Sequence, residues 1–308
     1  MTEGIFDVKG SGLVSSLLRF NYFLIRVAWN EVRNSDDYIL TIRRIVVFGT
    51  ATLFINFIMT WNHIGFMLDD TFFSRWKQQS VETPLFLVGN ARSGTTWLQR
   101  LLTEDSETFT ALKTWEIIFA ASISWRVLFS TLYKLDQFIL RGFIYTILLK
   151  CEDACLGDRV ARAASVHPVG LINTEEDEWL MVHAGYSQLI HFLFLLGSEV
   201  LKKLIMFDYL PNEYSKAPFQ PLSDTSKSEI FRFYKQCVQR HMYYHVQLRD
   251  RENVIFLSKN PTFTLRIPTI YRTFPTARVV SLLRDPVQSV PSMISYVSKV
   301  SYRNVLLV

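Results

Sequence analysis

Between Gly89 and Thr96 the chain reads G-N-A-R-S-G-T-T, a loop of mostly small and hydroxylated residues with one cation, Arg92. Such a loop suits anion binding. Short side chains let an anion reach the backbone, and the N–H groups and positive dipole at the start of a following helix hold it there. The spacing G-x-x-x-x-G is that of a phosphate-binding P-loop, but Thr95 stands where an NTPase carries lysine, ahead of Thr96. The loop therefore fits a phosphate-like group without the usual Mg-ATP arrangement. Two further cations, in Lys259-Asn260-Pro261 and Arg284-Asp285-Pro286, each close an apolar run. Candidate proton acceptors are the carboxylates of Glu175-Glu176-Asp177-Glu178 and His167, which precedes Pro168.

These residues need strand ends to hold them. Leu85 to Val88 has the length and composition of a buried strand, and from Thr95 the spacing of Trp97, Leu98, Leu101 and Leu102 predicts a helix with those four on one face. Asn253 to Ser258 and Ala277 to Leu283 are two more buried strands, each stopped by the following proline. Strands separated by helical segments predict a parallel sheet, whose ligands collect at the carboxyl ends. Arg92, Lys259 and Arg284 would all sit there.

Around this frame the chain is apolar. Of 308 residues 49% are hydrophobic, and the mean hydropathy is +0.14. The net charge of +5 suits an anionic ligand or an acidic membrane surface, but no Lys/Arg block is dense enough for a nucleic-acid arm. Leu13 to Val32 reads as an amphipathic helix with Arg19, Arg26 and Arg33 spaced along it. Ile45 to Trp61 is 17 residues without a charge, preceded by Arg43-Arg44. That is close to the roughly 20 of a bilayer span. It predicts either membrane association through 45–61 or a helix packed on the domain, so the location is membrane-associated or otherwise cytoplasmic. Ile117 to Leu149 and Gln188 to Met206 read as amphipathic helices that could line an acceptor cleft, Pro211 to Ser228 as a loop, and Glu229 to Leu248 as a helix. The three cysteines, Cys151, Cys155 and Cys237, read as reduced thiols. His241 and His245, at i and i+4, lack the glutamate of a zinc-protease motif and read as a helix face.

Taken together, the motifs resemble a family. Gly89 to Trp97 resembles the 5′-phosphosulfate loop of sulfotransferases that use 3′-phosphoadenosine-5′-phosphosulfate (PAPS). Arg284-Asp285-Pro286, with Ser292 eight residues after the arginine, resembles their 3′-phosphate motif. The branch with an R-S-G-T-T loop also carries an E-E-D-E segment and a K-S-P-x-H segment. Here the latter reads Lys259-Asn260-Pro261-Thr262-Phe263, so phenylalanine replaces a plausible base. The resemblance implies a P-loop-like three-layer α/β fold with a central parallel sheet and a helical N-terminal extension. It implies PAPS as donor, with Gly89, Arg92, Ser93, Gly94, Thr95, Thr96 and Trp97 on the 5′-phosphosulfate and Arg284 and Ser292 on the 3′-phosphate. The acceptor is then a hydroxyl of a carbohydrate, lipid or other small molecule. Glu176 and Glu178 lead as catalytic residues, with His167 and Lys259 beside them. The transferred sulfate carries a single charge, so no metal is required where phosphoryl transfer needs Mg²⁺.

The expected organisation is a helical segment over 1–80 and a sulfotransferase domain over 81–308. A doubly wound sheet normally has more strands than these three, which predicts a domain truncated at its C-terminus. Two rivals stand beside this reading. One is a nucleotide kinase or NTPase, which needs lysine at position 95 and a Mg²⁺ aspartate. The other is an inactive relative that serves as a membrane-associated binding protein, which Phe263 favours.

Overall fold

The computed structural model describes residues 12–34, 42–90, 92–164, 170–185 and 224–304. Its centre is a parallel sheet of β1 (Leu85–Gly89), β2 (Phe109–Thr110), β3 (Ile255–Lys259) and β4 (Arg278–Leu282), in the order β2-β3-β1-β4. Leu87 pairs with Lys259 and Gly89 with Leu282, so the strand ends that carry Lys259 and Arg284 flank the glycine loop. The chain runs from β1 to one side and reaches β4 on the other. This reversal opens the crevice where such sheets bind ligands. Phe86, Leu87 and Val88 are fully buried, as a run apolar on both faces requires. The two-residue β2 escapes the pattern because it is too short for any periodicity.

The helix after the loop is α3 (Thr95–Glu104). Only part of its expected face is right. Leu98 and Leu102 pack against Leu87, Ala111 and Leu257, whereas Trp97 and Leu101 are exposed and Thr95 and Gln99 are the buried residues. Beyond β2 come α4 (Thr114–Phe119), α5 (Ile123–Ile139) and α6 (Phe143–Ala164). A 3-10 segment, Asp177–Ala184, carries the acidic residues. Its N-cap is Glu176, with no side-chain capping bond. Helix α7 (Asp224–Tyr243) starts inside the stretch expected to be a loop, and α8 (Ile267–Thr273) and α9 (Pro286–Asn304) follow β3 and β4. Gln188 to Met206 lies outside the described residues.

The two N-terminal helices are α1 (Leu13–Asn34) and α2 (Ile42–Phe72). Phe20 and Leu24 of α1 pack on Met59 and Val182 as an amphipathic helix should. Arg19, expected on the polar face, is instead fully buried and donates from Nη2 to the Ala184 carbonyl at 2.7 Å. Phe48–Phe72 of α2 is long and apolar enough to cross a bilayer, with mean hydropathy 1.2. Its second half is nevertheless bound to the domain. Asn62 donates to Ile118 O at 2.8 Å and accepts from Ala121 N at 2.9 Å. Asp69 caps α5 by accepting from Ile123 N at 2.9 Å and Ser124 N at 2.8 Å, and pairs with Arg240 at 3.1 Å. Trp61, which could have marked a membrane interface, stacks on Trp125 at 4.1 Å and donates to Phe119 O. Gly65 permits this approach, since a Cβ there would lie 2.3 Å from Ser122 Oγ.

Candidate functional site: a donor loop and its cations

Gly89 ends β1 with φ +137°, and a Cβ on it would meet the Leu282 carbonyl oxygen at 2.5 Å. Glycine is therefore required where the loop leaves the sheet beside β4. Arg92 adopts φ +69°, an uncommon conformation for a non-glycine residue. Helix α3 then starts from Gly94, with no side chain capping its first turn. The N–H groups of that turn have no intrahelical partner by geometry and suit an anion. Thr95 is buried, and Ser93 and Thr96 are half-buried.

The glycine loop and the R-D-P motif meet. Arg92 Nε donates to Ser292 Oγ at 3.0 Å, and Arg284 Nη1 donates to the Arg92 carbonyl at 3.1 Å. The R-D-P sequence has a local cause as well. The Asp285 carboxylate accepts from Val287 N at 2.9 Å, and Pro286 occupies the first position of α9. This start places Ser292 back over the loop.

A second link joins the loop to the acidic segment. Lys259 Nζ, on a fully buried side chain, lies 2.9 Å from Glu176 Oε1 and 3.3 Å from Thr96 Oγ1. Its strand end is fixed by neighbours that were not singled out from the sequence. Gly89 N donates to Thr264 Oγ1 at 2.9 Å, and the Thr264 hydroxyl donates to Pro261 O at 2.7 Å. Asn260 Oδ1 caps the next turn by accepting from Thr262 N at 3.1 Å. The buried Asp177 carboxylate accepts from the Tyr234 hydroxyl and from Asn260 Nδ2. Burial pushes the Asp177 carboxyl up to about 6. No sequence pattern announces Tyr234, but Asp177 lies inside the acidic run.

Glu178 is fully buried one residue beyond Asp177, and Trp97 is exposed beside the loop. His167 lies outside the described residues. Phe263 belongs to the core, with its ring 5.4 Å from Phe231 and 5.3 Å from Tyr234. The side chain at 263 thus points among aromatic rings in this chain, and its being phenylalanine fills the core. Cys151 and Cys237 are free thiols, and burial pushes Cys237 up to about 12.

His241 and His245 do gather a carboxylate. Glu116 and the two rings bring ligand atoms within 4.8 Å of one another. Hydrogen bonding argues against a metal there. Arg251 Nη1 lies 3.1 Å from His245 Nδ1, and a guanidinium only donates, so Nδ1 accepts and Nε2 carries the hydrogen. The buried Arg126 also stands 3.7 Å from Glu116. Burial, with Arg126 and Arg251 nearby, lowers His245 to about 2 and keeps it neutral.

A sulfotransferase family model matches residues 174–305, a segment that includes Glu176, Lys259, Arg284 and Ser292. Over that segment, which is less than half of the chain, the sequence is similar to the sulfotransferase family. A search of curated protein sequences finds no significant match. Among solved structures, the fold is similar to that of sulfotransferase STF9 from Mycobacterium avium, with a TM-score of 0.57 at 18% identity over 94% of this chain. It is also similar to sulfotransferase STF1 from Mycobacterium tuberculosis H37Rv, with a TM-score of 0.56 at 17% identity over 91% of this chain. The chain spans 62% of the first structure and 65% of the second. The architecture is the P-loop-like α/β fold of sulfotransferases.

Proposed function

We propose that the chain transfers the sulfuryl group of PAPS to an acceptor hydroxyl. The observation that carries this reading is the convergence of Arg92 with Arg284 and Ser292, which makes one anion-binding surface from two motifs far apart in sequence. A donor with phosphates at both its 3′ and 5′ positions needs two such sites. The glycine loop with Arg92, Thr95 and Thr96 would hold the 5′-phosphosulfate, and Arg284 with Ser292 the 3′-phosphate. A nucleoside triphosphate needs no 3′ site.

In the reaction the acceptor oxygen bonds to sulfur as the bond from sulfur to the phosphate oxygen breaks, leaving adenosine 3′,5′-bisphosphate. The hydroxyl proton needs an acceptor, and Glu176 is the carboxylate in contact with Lys259, the β3 lysine beside the loop. Lys259 is shared between Glu176 and Thr96. An anion on the loop competes for the ammonium, which frees Glu176 to take the proton and leaves Lys259 to stabilise charge on the leaving phosphate. Carbohydrate, lipid and small hydroxylated acceptors all fit this chemistry. The donor domain would occupy 81–308.

The test is sulfuryl transfer from PAPS to a panel of hydroxyl acceptors, with a chelator of divalent cations present. Metal-independent sulfated product with matching release of the bisphosphate supports the reading. Phosphoryl transfer from Mg-ATP would replace it with the kinase reading, and binding of PAPS without turnover on any acceptor with the inactive relative.

A further inference from the structure

The hairpin of α5 and α6 ends in an apolar surface that no part of the described protein covers. Phe138 is 87% exposed, and Ile139, Phe143, Ile144 and Leu148 are exposed around it. The surface is built rather than loose. The Asp136 carbonyl accepts from both Leu140 N and Gly142 N, Arg141 and Gly142 turn the chain at positive φ, and Tyr133 packs edge-on against Tyr145 at 5.3 Å. A monomer rarely leaves so continuous an apolar surface in water without use.

Charge identifies what it meets. From Ile123 to Lys150 the sequence has a single acid, Asp136. That acid is buried, and its two oxygens accept from Ile144 N and Tyr145 N at 3.0 Å each, so it caps α6. The exposed charges are Lys134, Arg141 and Lys150, all positive. A symmetric contact between two copies would set these cations against one another, since Asp136 is bound to the start of α6 and the next acid, Glu152, accepts from Leu171 N. Aromatic and aliphatic side chains among cations suit the headgroup region of an anionic bilayer.

We propose that the α5–α6 hairpin tip docks the protein on anionic membrane surfaces, inserting Phe138 and Phe143 while Lys134, Arg141 and Lys150 contact the headgroups. This differs from membrane association through 45–61, and it stands whether or not the sulfuryl-transfer reading holds.

The experiment is sedimentation of the full chain with vesicles of phosphatidylcholine alone or mixed with phosphatidylserine, with light scattering of the lipid-free protein. The wild type should bind the phosphatidylserine vesicles more strongly than the neutral ones. Phe138→Ser/Phe143→Ser should weaken binding by about tenfold or more with an unchanged thermal midpoint, since both positions are exposed. Lys134→Gln/Arg141→Gln should weaken binding to phosphatidylserine vesicles by about fivefold per cation. Absence of wild-type vesicle binding, or binding that neither variant reduces, overturns the proposal. So does a lipid-free dimer that Phe138→Ser/Phe143→Ser dissolves, which would make the tip a contact between copies.

Discussion

Lys259 sits between two partners, the Thr96 hydroxyl of the glycine loop and the Glu176 carboxylate. If Glu176 is the proton acceptor, Glu176→Gln keeps the shape and a partner for Lys259 but removes the base. Turnover should then fall by about 10²–10⁴-fold, the usual range for a positioned acid or base, with affinity for adenosine 3′,5′-bisphosphate unchanged. Lys259→Gln should lower both, because it removes a positive charge beside the loop. Steady-state kinetics with calorimetry separates the two, and a Glu176→Gln enzyme with full turnover would move the base elsewhere. At this scale the sequence was readable where residue type alone carries meaning, in the glycines, Arg92 and Arg284. Pairings were not readable. Nothing in one dimension says that Lys259 meets Glu176 rather than Glu178, or that residue 263 faces Phe231 and Tyr234.

The elements hold the site through buried polar contacts that hydrophobic patterns do not register. The strands β1, β3 and β4 were legible as apolar runs closed by glycine or proline, but β4, expected to be buried, stands at the edge of the described sheet with Val280 and Leu283 exposed. The docking of α2 was not, because it rests on Asn62 and Asp69, single polar residues in an apolar helix. Glu176 follows from the 3-10 segment, which His183 helps fix by donating from Nε2 to Ile117 O at 2.8 Å. Burial, with a smaller contribution from His63, lowers His183 to about 4 from its ordinary 6.5. Between those values the unfolded chain binds a proton that the native chain does not, so this group costs stability as pH falls from about 6.5 toward 4. Asp177 acts in the opposite sense over an overlapping range. Its native carboxyl, raised to about 6 from 3.8, keeps a proton that the unfolded chain releases, so its contribution is lost as pH rises. Comparison with a variant isolates the histidine. In His183→Gln the loss of thermal midpoint between pH 7 and pH 4 should be smaller than in the wild type, and an equal loss would mean that His183 is not held neutral.

At the scale of the molecule, a parallel sheet brings three cations to one crevice from Arg92, Lys259 and Arg284, which are scattered over most of the chain. Sequence order and strand character were enough to expect this convergence, since the carboxyl ends of parallel strands lie on one side. The hairpin tip was harder to foresee, because amphipathic spacing shows that a helix has an apolar face but not whether another element covers it. The account turns on one claim, that the loop and the R-D-P motif together hold a nucleotide with phosphates at both ends. Calorimetric titration with adenosine 3′,5′-bisphosphate, compared with ATP with and without Mg²⁺, tests it most directly. The account predicts tight, metal-independent binding of the bisphosphate and much weaker binding of ATP. Arg284→Ala should reduce bisphosphate affinity by about 10- to 100-fold, the equivalent of about 1.5–3 kcal/mol for hydrogen bonds to a charged group. Preference for Mg-ATP, or a bisphosphate affinity indifferent to Arg284→Ala, would contradict it.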